Sequence, residues 1–349
     1  MGSVELMKAM IFDTYGGPEV LHESELPVPT PKPGEVLVRV RLAAVNPYDL
    51  KLRSGAMQQN VHPTFPVISG SELAGVVEAI GPAADAASGT HSRGEQGTAR
   101  DAAPSSTAAG HGDAAEADAV AAAPTLAVGD PVFGWASSGS YAEFARARVT
   151  SVLRKPADLH WDTAASLVVA GATAIRCLAQ LNVKPGETLL VHGGAGSVGA
   201  AAVQIAVPDR VTVIATCSER DAEAVRELGA HPVRYGEGVF ERVRELAPDG
   251  VDAVFDTSGA GVLPGSIEIA GGPSRVLTIA DPAAFELGVT FSAGGSSEQT
   301  PDVLQKIAEL ALSGVLVAPP ARHFPLADAA AAHTALGAGG FRGKTLLDV

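Results

Sequence analysis

One stretch restricts the possible folds more than any other. Leu189, Leu190 and Val191 form an apolar run that ends at His192 and passes into Gly193 and Gly194-x-Gly196-x-x-Gly199. Residues 200–206 then continue in small and apolar types that favour helix. A buried strand entering a helix through these glycines has a mechanical reason. Glycine permits the tight turn, lets backbone N–H groups approach a pyrophosphate and lets the helix pack close to its strand, while the helix N-terminus faces the phosphate charge. The spacing predicts a dinucleotide-binding turn whose cofactor contacts come from Gly193, Gly194, Gly196, Ser197, Val198 and Gly199.

The surrounding pattern agrees. After about Asp158, apolar runs at 188–192, 211–217, 251–256, 275–280 and 287–292 alternate with helix-like stretches such as 200–206 and 221–228, the latter stopped by Gly229. Strand–helix repetition with fully apolar strands predicts an α/β architecture with a parallel, doubly wound sheet. A last helix has Thr300 as N-cap, Pro301 at its first position and Gly314 as terminator. The most apolar stretch, 164–175, stops at Arg176 and is too short to span a bilayer.

Before Asp158 the period is that of strands. Residues 7–13, 36–44, 74–80, 130–133 and 141–147 read as short strands, with Val38, Val40 and Leu42 alternating against Arg39 and Arg41. Short strands separated by Gly and Pro predict a small, partly open β-barrel. Residues 83–125 differ from everything around them: 43 residues hold 16 alanines, 5 glycines and one larger aliphatic, Val120. Such a segment buries too little apolar area to offset its ordering entropy, which predicts a disordered surface insertion. The 349 residues therefore divide into a substrate domain at 1–158, a dinucleotide-binding domain at 159–312, and a tail at 313–349 whose final strand returns to the first domain.

Charge and cysteine usage exclude several functions. Lys and Arg total 25 against 39 Asp and Glu, a net charge of −14. That balance opposes binding to a nucleic-acid backbone or an anionic membrane. Cys177 and Cys217 are too few for a disulfide framework or a four-thiolate zinc site and suit a reducing cytoplasm. The first residues show no basic region followed by an apolar run, and Leu6 stands where a myristoylation motif needs Ser or Thr. His62, His91 and His111 lack metal-site spacing and read as solvated loop histidines. A soluble cytoplasmic protein is expected.

Cofactor choice should be written at the tip of the strand after the glycine turn, Thr216-Cys217-Ser218-Glu219-Arg220. Ser218 and Arg220 suit a ribose 2′-phosphate as donor and charge partner, whereas Glu219 lies near the spacing at which NAD sites place their acid. The reading favours NADP(H).

Further motifs are Asn46-Pro-Tyr-Asp-Leu-Lys-Leu-Arg-Ser-Gly55, Phe65-Pro-Val-Ile-Ser-Gly-Ser-Glu-Leu-Ala-Gly75, Val128-Gly-Asp-Pro-Val-Phe-Gly134, Gly139-Ser-Tyr-Ala-Glu-Phe144, Ala170-Gly-Ala-Thr-Ala174 and Arg342-Gly-Lys344. With the glycine turn they make the chain similar to the medium-chain dehydrogenase/reductase superfamily, in its zinc-independent quinone oxidoreductase and alkenal reductase branch. The resemblance implies a GroES-like domain followed by a Rossmann domain. It places Asn46 beside the nicotinamide, Lys51 near the substrate pocket and Tyr235 against the 2′-phosphate, and adds Thr173 and Lys344 to the cofactor set. Zinc-dependent relatives carry Cys where this chain has Val45-Asn46 and His-Glu where it has Ser71-Glu72, so no metal is expected.

Without a Lewis acid the chemistry reduces to hydride transfer with charge stabilisation, which suits a quinone or an α,β-unsaturated carbonyl. Lys51 can donate to a developing enolate oxygen or be a surface lysine; Tyr48 offers an O–H or packs. Enoyl-thioester relatives place a Tyr donor where this chain has Met57, which weighs against the fatty-acid type and leaves a trans-acting enoyl reductase of a biosynthetic pathway open. A non-catalytic zeta-crystallin-like NADPH-binding protein is the reading from another class. A homodimer is expected.

Overall fold

Pro27, Pro29, Pro31 and Pro33 form a rigid connector, and the β-branched residues that follow build the first half of the molecule from strands. The computed structural model describes residues 4–59, 61–82, 125–295 and 298–349. The expected insertion at 83–125 lies outside them apart from Thr125, as do His91 and His111.

In chain order the first elements are β1 (Leu6–Phe12), β2 (His22–Pro27), β3 (Glu35–Val45), α1 (Pro47–Ser54), β4 (Val67–Ile68), β5 (Glu72–Ile80), β6 (Pro131–Trp135), β7 (Phe144–Arg148) and β8 (Val152–Arg154). They are followed by α2 (Trp161–Leu181), β9 (Thr188–His192), α3 (Ser197–Ala206), β10 (Thr212–Cys217), α4 (Ala222–Glu227), β11 (His231–Arg234), α5 (Val239–Leu246) and β12 (Ala253–Asp256). The chain ends with α6 (Leu263–Ile269), β13 (Val276–Thr278), α7 (Ala284–Leu287), β14 (Thr290–Phe291), α8 (Pro301–Leu312), β15 (Ala321–Pro325), α9 (Ala329–Gly337) and β16 (Lys344–Asp348).

Among the described residues three sheets result. A three-stranded sheet runs β2-β1-β4; a seven-stranded sheet runs β15-β16-β3-β5-β6-β8, with β7 also paired to β3. Backbone bonds from Met10 N to Tyr141 O (2.8 Å) and from Glu143 N to Lys8 O (3.0 Å) join the two as an open barrel-like unit. The third sheet is wholly parallel in the order β11-β10-β9-β12-β13-β14. Numbered within its own domain this is 3-2-1-4-5-6, the doubly wound dinucleotide-binding order, with the crossover at β9. The final strand β16 pairs antiparallel with β3, so the C-terminus rejoins the first unit.

Strand β3 departs from simple alternation. Val36, Val38 and Val40 enter a core with Phe12 and Tyr141, but the register against β5 shifts between Val40 and Leu42. Past that irregularity Leu42 and Ala44 face the other core, formed with α2, while Ala43 and Val45 continue the first. One extra residue flips the parity of every side chain beyond it. The sequence reading put Val38, Val40 and Leu42 on one face; the bulge moves Leu42 off it.

The longest helix is also longer than expected. The apolar stretch does not stop at Arg176: α2 runs to Leu181 and is long and apolar enough, by length and composition alone, to cross a membrane. Arg176 stays within it because its guanidinium reaches Ser292 and Glu298. The apolar face of α2 is buried against α3 and the first unit's strands. Strand β11 escaped the sequence reading because its four residues include Pro232 and little apolar material, as an edge strand tolerates.

Candidate functional site

The glycine turn follows from what its neighbours leave room for. Gly193 has φ +80°, a left-handed conformation that favours glycine. A Cβ on Gly199 would lie 2.3 Å from the Gly193 carbonyl oxygen, so only glycine lets α3 come this close to the turn. Gly196 caps α3 without a side chain, leaving first-turn N–H groups for a ligand. Beneath the turn, Thr216 Oγ1 accepts the Gly193 N–H (3.1 Å) and lies 3.4 Å from Nδ1 of the buried His192. His192 Nε2 meets Ser266 Oγ at 3.1 Å. Burial holds the His192 pKa down to about 4, so the ring is neutral and acts as a support for the turn.

A cleft of about 340 Å³ opens at the tip of β10, between the turn and the segment before β16. Gly193, Gly196, Ser218, Arg220 and Tyr235, all expected at the cofactor, line it, Tyr235 with 59% of its surface exposed. Two further residues alter the picture. Arg342 lines the same cleft, and the carboxylate there is Asp221, not Glu219, which is exposed and does not line it. Ser218 donates to Asp221 (2.6 Å), and Arg220 pairs with Asp221 (3.2 Å) and donates to the Gly340 carbonyl (3.0 Å). Asp221 read as the first residue of a helix, and its turn back into the cleft depends on the single helical turn at 219–221.

The second cluster forms where β3 ends. Asn46, 7% exposed, is the N-cap of α1. Its N–H donates to Asp49 Oδ2 (2.8 Å), its amide Nδ2 donates to Glu72 Oε1 (2.8 Å), and its Oδ1 accepts from Lys344 Nζ (2.7 Å). Lys344 and Glu72 form an ion pair at 2.5 Å, 3% and 0% exposed, and Glu72 Oε2 also accepts the Val169 N–H of α2 (2.7 Å). The Asn46 amide is therefore fixed at both ends. Lys344, expected at the cofactor itself, has its ammonium buried under Asn46 and Glu72 instead.

Behind Asn46 the polar chain continues inward. Tyr141 Oη lies 3.3 Å from Asp49 Oδ2 and 3.3 Å from His333 Nε2, and Arg53 Nε donates to His333 Nδ1 (3.2 Å). Burial, against donors from Asn46 and Tyr141, raises the Asp49 pKa to about 7; burial lowers that of His333 to about 4. Tyr48 and Lys51 stand on the outer face of α1, both exposed, with the Tyr48 phenol pushed above its usual range by partial burial and by Asp49. Thr173 is half-buried on α2, and Ser197 and Val198 open α3. His62 is exposed, as expected. Among the described residues no group of three His, Cys, Asp or Glu is placed to hold a metal.

Asp49, Arg53 and Glu72 lay inside quoted motifs but were not read as site residues, because a sequence does not tell which face of a short helix is buried. His333 carried no local signal.

Comparison with known proteins places this geometry. Residues 32–157 match the alcohol dehydrogenase GroES-like domain and residues 228–347 the zinc-binding dehydrogenase domain. The chain is 31% identical to an Arabidopsis thaliana NADPH-dependent alkenal/one oxidoreductase of the chloroplast over 348 residues, 98% of this chain and 79% of that one. It belongs to the medium-chain dehydrogenase/reductase superfamily, in the zinc-independent quinone oxidoreductase branch. A Pongo abelii quinone oxidoreductase is 33% identical over 66% of this chain, which spans 58% of that protein's length. A mycobacterial superfamily structure solved in complex with NADPH superposes with a TM-score of 0.76, at 28% identity, over 98% of this chain and 100% of that one. Although the second matching domain is described as zinc-binding, Asn46 and Glu72 of this chain are hydrogen-bonded to each other and to Lys344.

Proposed function

We propose that this dehydrogenase/reductase is a cytoplasmic, NADPH-dependent enzyme that reduces a quinone or an α,β-unsaturated carbonyl without a metal, working as a homodimer. The observation that carries the reading is the cleft at the tip of β10, which offers the guanidinium groups of Arg220 and Arg342, the Ser218 hydroxyl and the Tyr235 phenol to one small anionic group. A ribose 2′-phosphate fits that donor set: it would draw Ser218 and Arg220 from Asp221, their partner in the cleft, and meet the Arg342 guanidinium as well. The names of the Arabidopsis and mycobacterial relatives support the same cofactor.

In this reading the Gly193–Gly199 turn and the N-terminus of α3 hold the pyrophosphate, and Thr173 lies along the nicotinamide half. Bound NADPH supplies a hydride to an electrophilic carbon. Asn46, its amide held by Glu72 and Lys344, orients the nicotinamide so that little rotational freedom is lost at the reacting centre. Charge then develops on the substrate oxygen. The Lys51 ammonium and the Tyr48 phenol, kept protonated by its raised pKa, are the O–H and N–H donors on the open face of α1 that stabilise it and return a proton. Net transfer is one hydride and one proton.

The test follows NADPH oxidation at a single wavelength with a panel of small quinones and enones. Turnover with either class supports the reading. Tight NADPH binding with no turnover across the panel replaces it with a cofactor-binding protein.

A further inference from the structure

The polar chain behind Asn46 has only one possible direction. Arginine has no acceptor, so Arg53 Nε must donate to His333 Nδ1, which places the single proton of a neutral ring on Nε2. That proton is directed at Tyr141 Oη, and the Tyr141 O–H is then directed at Asp49 Oδ2. Asp49 Oδ2 is the same atom that accepts the Asn46 N–H. Every member is buried: Arg53, His333, Tyr141, Asp49 and Asn46 are all under a tenth exposed. They come from α1, α9 and the segment before β7, so the chain exists only in the folded protein. The His333 ring also stands edge-on to Tyr141, centroids 5.8 Å apart, which fixes both rings.

We propose that Arg53, His333 and Tyr141 are positioning residues, a buried relay of donors that favours the ionised form of Asp49 as the acceptor for the Asn46 N–H and so holds Asn46 in its working orientation. The inference rests on the role given to Asn46 above. None of the three touches a reacting atom. Their effect passes through Asp49, the one member of the relay that titrates near neutrality. The charged and titratable groups facing Asp49 are Glu72 from β5, Lys344 from β16, Tyr48 and Arg53 from α1, Tyr141 before β7 and His333 from α9. Glu72 opposes ionisation, while Lys344 and Tyr141 favour it. Losing the Tyr141 donor must move the Asp49 midpoint upward, because a hydrogen bond to the charged form is removed.

The relay also predicts which replacement of His333 is tolerated. Glutamine can accept from Arg53 through its carbonyl and donate to Tyr141 through its amide, whereas leucine can do neither.

The experiment follows Asp carboxyl carbons by NMR across pH in the cofactor-free protein, with Asp49→Asn identifying the Asp49 signal, and in parallel the pH profile of kcat/KM for NADPH-dependent turnover. Tyr141→Phe should raise the Asp49 midpoint by about one pH unit and move the acidic limb of the profile with it. His333→Leu should shift both in the same direction, and His333→Gln should return the midpoint to within a few tenths of a unit of wild type. An unmoved midpoint in Tyr141→Phe overturns the relay even if the enzyme turns over normally. Absence of turnover with a shifted midpoint leaves the relay standing and instead removes the function proposed for the site. Should His333→Leu fail to fold, Tyr141→Phe, which deletes one oxygen, decides the question.

Discussion

Replacing Lys344 by methionine isolates the ion pair under Asn46. The side chains are similar in length, so the main change is removal of one buried charge. In the native protein Glu72 is fully buried and has three partners: Lys344 Nζ at 2.5 Å, Asn46 Nδ2 at 2.8 Å and Val169 N at 2.7 Å. Without the ammonium, the carboxylate keeps two neutral donors and no counter-charge. Breaking one partner out of a buried pair costs about 3–5 kcal/mol. Unfolding entropy of about 2.1 cal/mol/K per residue gives roughly 0.7 kcal/mol/K for a chain of 349 residues melting as one unit, so Tm should fall by about 4–7 °C. The double variant Glu72→Gln/Lys344→Met carries no charge at either position and keeps an acceptor for Asn46; it should recover at least half of the loss. Calorimetry of the three cofactor-free proteins at neutral pH measures this. A single variant melting within about 1 °C of wild type, or a double variant no better than the single, refutes the reasoning.

Other expectations follow from the same geometry. Arg220→Ala and Arg342→Ala should each weaken NADPH binding about tenfold and leave NADH nearly unchanged, by fluorescence titration; equal losses for both cofactors would remove the 2′-phosphate assignment. Asp221→Asn frees Ser218 and Arg220 from their present partner and should tighten NADPH binding by roughly three- to tenfold at low salt, an effect that shrinks as salt rises. Exhaustive chelation should leave turnover unchanged, since the described residues offer no ligand set; activity lost with stoichiometric zinc would contradict this. Stability should fall on acidification between pH 6.5 and 4. His192 and His333 have folded pKa values lowered from 6.5 to about 4, so the unfolded chain binds their protons first and each costs up to about 3 kcal/mol. Asp49 acts oppositely, since its raised pKa makes the native state the better proton binder between 3.8 and about 7. Two histidines against one carboxyl of similar size leave a net loss, and His333→Gln, which leaves one histidine against that carboxyl, should remove most of the fall in Tm.

The parts legible in the sequence are those set by short-range constraints. A strand, four glycines and a helix in one 18-residue run define the turn, because backbone angles and Cβ clashes are local; Gly193 at φ +80° and Gly199 against the Gly193 carbonyl show the physical basis. The same holds for the parallel strands β9, β10 and β12, the cap at Thr300 and the stop at Gly229, which rest on side-chain type alone. What remained hidden depended on long-range placement. The face of α1 that turns inward is chosen by packing against α9, so Asp49 and Arg53 became buried while Lys51 stayed out. The bulge in β3 redirected Leu42, an irregularity that alternation cannot express. Asp221 and Arg342 share one cleft though 121 positions separate them, and His333 sits beside Arg53 across 280. Local chemistry determines which turns and strands a chain can form, whereas which charges meet is decided by the tertiary fold, because burial makes an unpaired charge too costly to leave alone.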